Sequence, residues 1–380
     1  LVNKILSMFF YDIPNLLAIL IIIVVSFRMG LIPLWLSFFL GLFALTPFFL
    51  NDLLFPATYM PDQFAYYSWV QNIRSQGLIT GLFNLDFTNN AKMLVSNWML
   101  AVIPLPYVET IKSLGFFNRL IATAFTIWLY SSKNLRGWPL LFVLFYPSFL
   151  LYSSLALRDT LVLIFMIVPV ILFLENRRLL ALIVSSPLFF IKFQNFFLIV
   201  IFFVVHLYFS RGSIFYKYRY MFLIIIVGGL TPFIMEIIQL LDFYRWALFY
   251  EDGGLLSDYV PITTLNQFVV IAIQSAPYFL MKPFPWEASN FLQLIQSIEN
   301  ILIFAVLAFM FLKASSIDKK IALKWLVYII AAFSIYGLVV FNFGTAVRYK
   351  FPFILIVIIG MAYELYLKHG KLILNKESKN

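Results

Sequence analysis

The sequence predicts an all-helical, polytopic integral membrane protein, and three observations carry that reading. Of 380 residues, 63% are hydrophobic and 12% charged, against about 45–50% apolar and about 25% charged in an ordinary soluble domain. That is too much apolar surface for one soluble core, which excludes a soluble enzyme, a disordered tail and a disulfide scaffold. Apolar runs recur along the chain at the length of a membrane span, about 20 residues. The cations, 27 Lys+Arg against 17 Asp+Glu, are scattered over short segments between those runs. This is the pattern of cytoplasmic loops, not the basic stripe that nucleic-acid binding needs. Cysteine is absent, so no disulfide, iron–sulfur cluster or thiolate zinc site forms. His206 and His369 are too far apart in sequence to suggest a histidine metal site.

The clear apolar runs are 31–50, 114–130, 138–157, 160–174, 221–241, 291–312, 321–341 and 351–367. A shorter run, 15–27, extends back toward Ile5. Runs 179–191 and 195–209 are separated only by Lys192, Phe193 and Gln194, and read as two short helices meeting at a polar break. Runs 94–108, with Pro104 and Pro106, and 268–281, with Pro277, read as re-entrant or interfacial. The total is roughly 11 to 13 transmembrane or re-entrant helices. No fixed-period repeat and no separate soluble domain is visible, so 1–380 reads as one transmembrane domain.

Charge orients the chain. Lys133 with Arg136, Arg177 with Arg178, Arg211 with Lys217 and Arg219, Lys313 with Lys319 and Lys320, and the tail Lys368, Lys371, Lys376 and Lys379 all fit the cytoplasm. The opposite side then receives Arg158 and Asp159, the Lys192 break, an acidic loop 242–266, segment 282–290 and segment 342–350. Residues 51–113 become an extracytoplasmic loop with interfacial helices, and 242–290 a second one. Lys4 and Arg28 point the N-terminal run in opposite directions.

Four polar groups on the outer side attract attention, because charge at a break between apolar helices is costly and tends to be functional. In 153–160, Ser-Ser-Leu-Ala-Leu-Arg-Asp-Thr, two apolar helices meet with almost no loop. Either Asp159 caps the next helix with Arg158 as its surface partner, or Arg158 binds a phosphate or sugar and Asp159 orients it. The planar arginine fork suits phosphate. In 342–350, Asn-Phe-Gly-Thr-Ala-Val-Arg-Tyr-Lys, Gly344 frees the backbone to turn. Arg348 and Lys350 lie where the orientation rule gives them no reason to be, which favours binding; Tyr349 and Lys350 alternatively anchor at the headgroups. Lys192, between two short helices, either snorkels or supplies a third cation to a cavity. In 59–74, Tyr66, Trp69, Val70 and Ile73 fall at helical spacing, predicting a helix on the membrane surface that starts at Pro61 with Asp62 in its first turn. Asp62 is then a capping carboxylate or a general base near the interface. The other outer carboxylates are Asp86, Glu109, Glu251, Asp252, Asp258 and Glu287. Trp286 and Glu287 belong to a rigid aromatic turn, 282–287, that stacks on a sugar ring or anchors at the interface.

The Ser-Leu-Ala-Leu-Arg-Asp segment (154–159), the Pro-Phe-Pro-Trp-Glu segment (283–287) and the Gly-Thr-Ala-Val-Arg-Tyr-Lys segment (344–350) resemble bacterial polysaccharide polymerases of the O-antigen (Wzy) type. These are related in architecture to the multispanning C-fold (GT-C) glycosyltransferases. The resemblance implies a GT-C-like fold in the bacterial cytoplasmic membrane and a glycosyltransferase that joins repeat units carried on undecaprenyl diphosphate. It implies that Arg158, Lys192 and Arg348 share the stabilisation of the departing diphosphate, with Tyr349, Lys350, Trp286 and Glu287 also binding substrate. Asp62 or Asp159 serves as acid–base carboxylate. Asp62 is similar in place to the base of C-fold enzymes, although here two helices precede its loop and a paired acidic motif is lacking. No cofactor is required, and a divalent metal is neither required nor excluded. The implied partners are the lipid-linked oligosaccharide, membrane lipids and a chain-length regulator protein, with no nucleic acid. Two other functions remain open: a C-fold enzyme using a lipid-phosphate sugar donor, and a lipid-linked glycan transporter or flippase. A flippase lines a path with charge at mid-membrane depth; here the charges gather near one face, Arg119 excepted.

Overall fold

A computed structural model describes residues 2–51, 54, 58, 60–83, 91–102, 104–133, 135–210, 214–251 and 253–377. Residue 59 of the surface-helix segment, Asp86, Arg211, Asp252 and Lys379 lie outside the described residues. Among the described residues the regular structure is helical. Four of the helices are long and apolar enough to cross a membrane: Phe10–Arg28, Phe291–Ile317, Lys319–Val339 and Phe343–Lys368. This is the build of a helical membrane protein. The chain divides into two compact units, Leu1–Phe196 and Phe197–Asn380.

The first unit runs α1 (Val2–Arg28), α2 (Leu34–Ala44), α3 (Thr46–Leu50), α4 (Asp62–Gln76), α5 (Leu78–Phe83), α6 (Ala91–Ala101), α7 (Ile111–Lys133), α8 (Trp138–Phe145), α9 (Pro147–Tyr152), α10 (Asp159–Leu174), α11 (Arg178–Ser185), α12 (Pro187–Ile191) and the start of α13 (Phe193–Phe209). Several apolar runs are thus divided. Pro47, Pro147 and Pro187 stand at the second or first position of α3, α9 and α12. A proline has no N–H to continue the preceding helix and crowds the residue before it. A helix forms where the spacing predicts it, with Pro61 before its first residue; Tyr66, Val70 and Ile73 are buried, while Trp69 is exposed.

Polar contacts sort the helix ends of this unit. Lys133 at the end of α7 pairs with Glu175 at the end of α10, and Arg177 lies 3.8 Å from the same carboxylate. At the other end, Thr46 and Ser154 share a 2.7 Å hydrogen bond. Helix α1 packs along α7, and Asp12 accepts hydrogen bonds from Thr110 and Ser113, each at 2.7 Å, at the start of α7. The two helices therefore begin at the same end, and Arg28 runs toward the Lys133 end.

The second unit contains α14 (Ile214–Lys217), α15 (Arg219–Leu230), α16 (Ile234–Glu251), α17 (Leu265–Met281), α18 (Phe291–Ile317), α19 (Lys319–Val339) and α20 (Phe343–Glu377). The run 221–241 is not one helix. A 3-10 turn, Thr231–Phe233, interrupts it at Pro232, and α16 then continues to Glu251, so the first part of the expected acidic loop 242–266 is helical. Asp318 turns α18 into α19: its carboxylate accepts the Lys320 N–H at 2.9 Å and pairs with Lys368. Deeper in, the Glu364 carboxylate accepts Trp325 Nε1 at 2.8 Å and pairs with Lys324.

Helix α17 packs antiparallel on α19, with Phe279 against Phe333 and Tyr336. Gly337 permits this approach, since a Cβ there would lie 2.5 Å from the Ser275 carbonyl oxygen. Gly337→Ala should therefore destabilise the protein by about 1–3 kcal/mol, as overpacking does. Gly228→Ala, where a Cβ meets nothing within 4 Å, serves as control. Thermal unfolding in detergent should show a lower midpoint for the first variant only.

Candidate functional site

An irregular segment, 153–158, joins α9 and α10 in the first unit. Five of its six residues, Ser153 to Leu157, are buried. This replaces the expected near-direct helix junction with a true loop. A buried loop has no helix or water to satisfy its backbone, so side chains must. Asn118 on α7 donates to the Leu155 carbonyl at 2.6 Å and the Leu157 carbonyl at 2.7 Å. Gln63 on α4 accepts the Ala156 N–H at 3.0 Å, and Asn51 donates to the same Gln63 oxygen at 2.9 Å. Arg119 donates to the Ser153 hydroxyl. Gly115 lies against the loop so closely that a Cβ would fall 2.3 Å from the Ser154 oxygen.

This framework positions Arg158. Its guanidinium donates at 3.0 Å to the carbonyl of Ile191, the last residue of α12. Lys192 follows directly. Its φ of −156° and ψ of 80° break the helix, and its carbonyl accepts the Asn195 N–H at 2.9 Å. The predicted polar break is present, and Arg158 and the Lys192 break share one end of the unit. Asp159 is the buried first residue of α10 and Asp62 the half-buried first residue of α4. Neither occupies the capping position, which falls to Arg158 and Pro61. Both carboxylates sit in a first turn, where the helix dipole favours negative charge. The Gln63–Ala156 bond ties the two helix starts to the same loop.

Sequence reasoning singled out Arg158, Asp159, Lys192 and Asp62 but passed over Gln63 and Asn118. The available signal was the adjacent Asn118-Arg119 pair inside an apolar run, a costly placement without an internal partner. It also passed over Asn97, which is fully buried with neither side-chain nitrogen nor oxygen hydrogen-bonded. Its helix, α6, packs on α4 and α12.

In the second unit, Gly344 is not a flexible turn. Asn342 Oδ1 accepts the Gly344 N–H at 2.8 Å, and α20 is already helical there. Arg348 and Tyr349 lie half-buried on its second turn, the Tyr349 ring 5.2 Å from that of Tyr336. Lys350 is 1% exposed. Its ammonium donates to Asn300 and, at 3.1 Å, to the Leu280 carbonyl. Asn300 in turn donates to the Met281 and Lys282 carbonyls at 3.1 and 2.9 Å. Lys350 thus sits at the C-terminus of α17, the negative end of the helix dipole, with its charge committed internally.

The 282–287 turn is tied together by side-chain contacts. Lys282 pairs with Glu287 at 3.1 Å and lies 3.4 Å from the centre of the Tyr278 ring. Trp286 is 79% exposed and stacks on Phe284 at 4.9 Å. The Phe284 N–H first of all, and then the Lys282 ammonium, hold the Glu287 carboxyl below its usual range against the opposing effect of burial. A cavity of about 380 Å³ opens beside this turn, lined among others by Arg245, Tyr278, Lys282 and Phe341. Among the described residues no group of three or more His, Asp and Glu side chains is arranged to hold a metal ion. Compared with known proteins, the chain matches no family model, no curated protein and no solved structure.

Two measurements check this geometry. Lys350→Ala leaves the α17 carbonyl of Leu280 and Asn300 without their charged donor, and should cost about 1.5–3 kcal/mol of stability. Arg348→Ala should leave the thermal midpoint near wild type. Because the Glu287 carboxyl is depressed in the folded chain, its contribution to the turn is present above the ordinary carboxylate pKa and lost as pH falls through the lowered value. Acid titration followed by the Trp286 emission, taken as the difference from Trp286→Phe, should show this transition, and Glu287→Gln should abolish it.

Proposed function

We propose that the protein is a glycosyltransferase of the polysaccharide-polymerase type, joining glycan repeat units carried on a lipid diphosphate in the bacterial cytoplasmic membrane. The observation that carries the reading is the meeting of Arg158 with the Lys192 break, beside two helix-starting carboxylates, on a buried loop fixed by Asn118, Arg119 and Gln63. Cations fixed in advance, rather than gathered during reaction, are what stabilise a departing diphosphate. In the reaction, the bond between the donor anomeric carbon and the diphosphate oxygen breaks, and the diphosphate leaves with the electron pair. The acceptor hydroxyl oxygen bonds to that carbon and gives its proton to Asp62 or Asp159. Among the described residues the buried Asn97 side chain has no hydrogen-bond partner and its helix packs on α12, which supports a polar ligand in the same region. The deep charges favour surface chemistry over transport, since Lys324 and Glu364 pair with one another rather than lining a path.

In this reading the Arg158 end faces the extracytoplasmic side, and the end that gathers Lys133 and Arg177 faces the cytoplasm. In intact cells an impermeant thiol reagent should label Arg158→Cys and not Arg177→Cys, against a background that holds no cysteine. Labelling of the Arg177 site alone would reverse the orientation. Arg158→Ala should lower chain extension by about 10²–10³, the loss found when one preorganised donor is removed from a transition state. Arg348→Ala tests whether the second unit contributes a cation to the same step. Arg→Lys at either position should recover part of the rate, because lysine keeps charge but not the paired geometry. The readout is glycan length in a strain lacking the native chain. A polymerase defect leaves single repeats on the final acceptor. An altered repeat unit points to a monosaccharide-adding enzyme, and lipid-linked units retained on the cytoplasmic side point to a flippase.

A further inference from the structure

The second unit holds another cavity, of about 410 Å³, between α16 and the chain that leads into α17. Its size falls within the about 300–1,000 Å³ of small-molecule sites. The wall includes Phe243, Trp246 and Tyr259 as aromatic surfaces, with Gln239, Asp242 and Thr263 as polar groups. Asp242 is held firmly. Its Oδ1 accepts the Tyr259 hydroxyl at 2.7 Å and the Ile262 N–H at 2.8 Å, and Arg245 Nη1 stands 4.0 Å away. Among the described residues Oδ2 has no hydrogen-bond partner. Ile262 is itself anchored, buried against Ile238 and Leu338. Burial and the Asp242 carboxylate push the Tyr259 hydroxyl up to about 12, so it remains a donor to that carboxylate at any working pH.

We propose that this cavity is a saccharide-binding site, in which a sugar ring stacks on Trp246 and its hydroxyl groups bond to Asp242, Gln239 and Thr263. The chemistry selects a neutral polyol. A carboxylate lines the cavity and its charge is already balanced by Arg245, so a phosphate finds repulsion without a free cation in return. A hydroxyl, by contrast, donates to Oδ2 and accepts from the Gln239 amide. The aromatic face carries negative quadrupole charge that attracts the weakly positive C–H edge of a sugar ring. Trp246 is 38% exposed and Phe243 58%, so the face is accessible. Helix α16 carries Glu236, Asp242, Arg245 and Glu251 along its length. The site deepens the polymerase reading, on which it rests for its ligand class. It assigns the glycan, as distinct from the lipid diphosphate, to a place in the second unit.

The test is calorimetric titration of the full chain in phosphatidylcholine nanodiscs. The probes are the repeat-unit oligosaccharide released by mild acid from the source organism's surface polysaccharide, and inorganic pyrophosphate. The oligosaccharide should bind wild type. Trp246→Ala should weaken it by about tenfold or more, as loss of a central aromatic anchor does, while Trp246→Phe keeps most of the affinity and Gln239→Ala shows an intermediate loss. All three should keep the wild-type thermal midpoint. No oligosaccharide binding by wild type, equal affinity in Trp246→Ala, or displacement of the sugar by pyrophosphate would each overturn the site. The two readings fail separately. Binding lost in Trp246→Ala, while a strain lacking the chain altogether still makes long chains, keeps this site and removes the polymerase. Long chains lost in Arg158→Ala while Trp246→Ala binds normally does the reverse.

Discussion

Everything in this chain depends on giving partners to backbone polar groups where water is scarce. A helix satisfies its own interior, but loops and helix ends do not, and an unmade buried hydrogen bond costs more than a made one returns. Two places where irregular backbone is buried show polar side chains converging for this reason. The loop 153–158 is held by Asn118, Arg119 and Gln63. The C-terminus of α17 is held by Lys350 and Asn300. Each set comes from helices distant in sequence, so each fixes tertiary arrangement as well as local conformation.

The same constraint separates the polar residues into two kinds. Some are consumed by the fold. Lys350 has its ammonium surrounded by carbonyl and amide oxygens, and Glu364 binds Lys324 and Trp325. Others keep part of their capacity. Among the described residues the Asn97 side chain has no hydrogen-bond partner, the Asp242 carboxylate accepts at Oδ1 alone, and Trp286 stacks on Phe284 with most of its surface exposed. A ligand can only engage the second kind, and the saccharide site is built on residues held in place without being used up.

The glycines and prolines show how local chemistry and packing divide the work. Pro47, Pro147 and Pro187 cut apolar runs into shorter helices by local sterics, which is why fewer helices reach membrane length than the runs suggested. Gly115 and Gly337 act through tertiary contact, admitting a carbonyl oxygen where a side chain would not fit. Gly344, read as a hinge, is neither: it lies in a helix started by Asn342.

The sequence by itself determined the all-helical class, most of the helical segments, the Lys192 break and the helix that follows Pro61. These follow from apolar run length, helical spacing and proline chemistry, all of which act over a few residues. It also marked Arg158 and Asp159 as polar groups out of place among apolar helices. Only the tertiary structure decided what those groups touch: that Arg158 reaches Ile191, that Gln63 and Asn118 hold the loop before it, that Lys350 is committed to the end of α17, and that α16 extends through Asp242 to make a cavity wall. A hydrogen bond has a donor and an acceptor, and where the two lie tens of residues apart, composition and periodicity carry no trace of the pairing until the chain has folded.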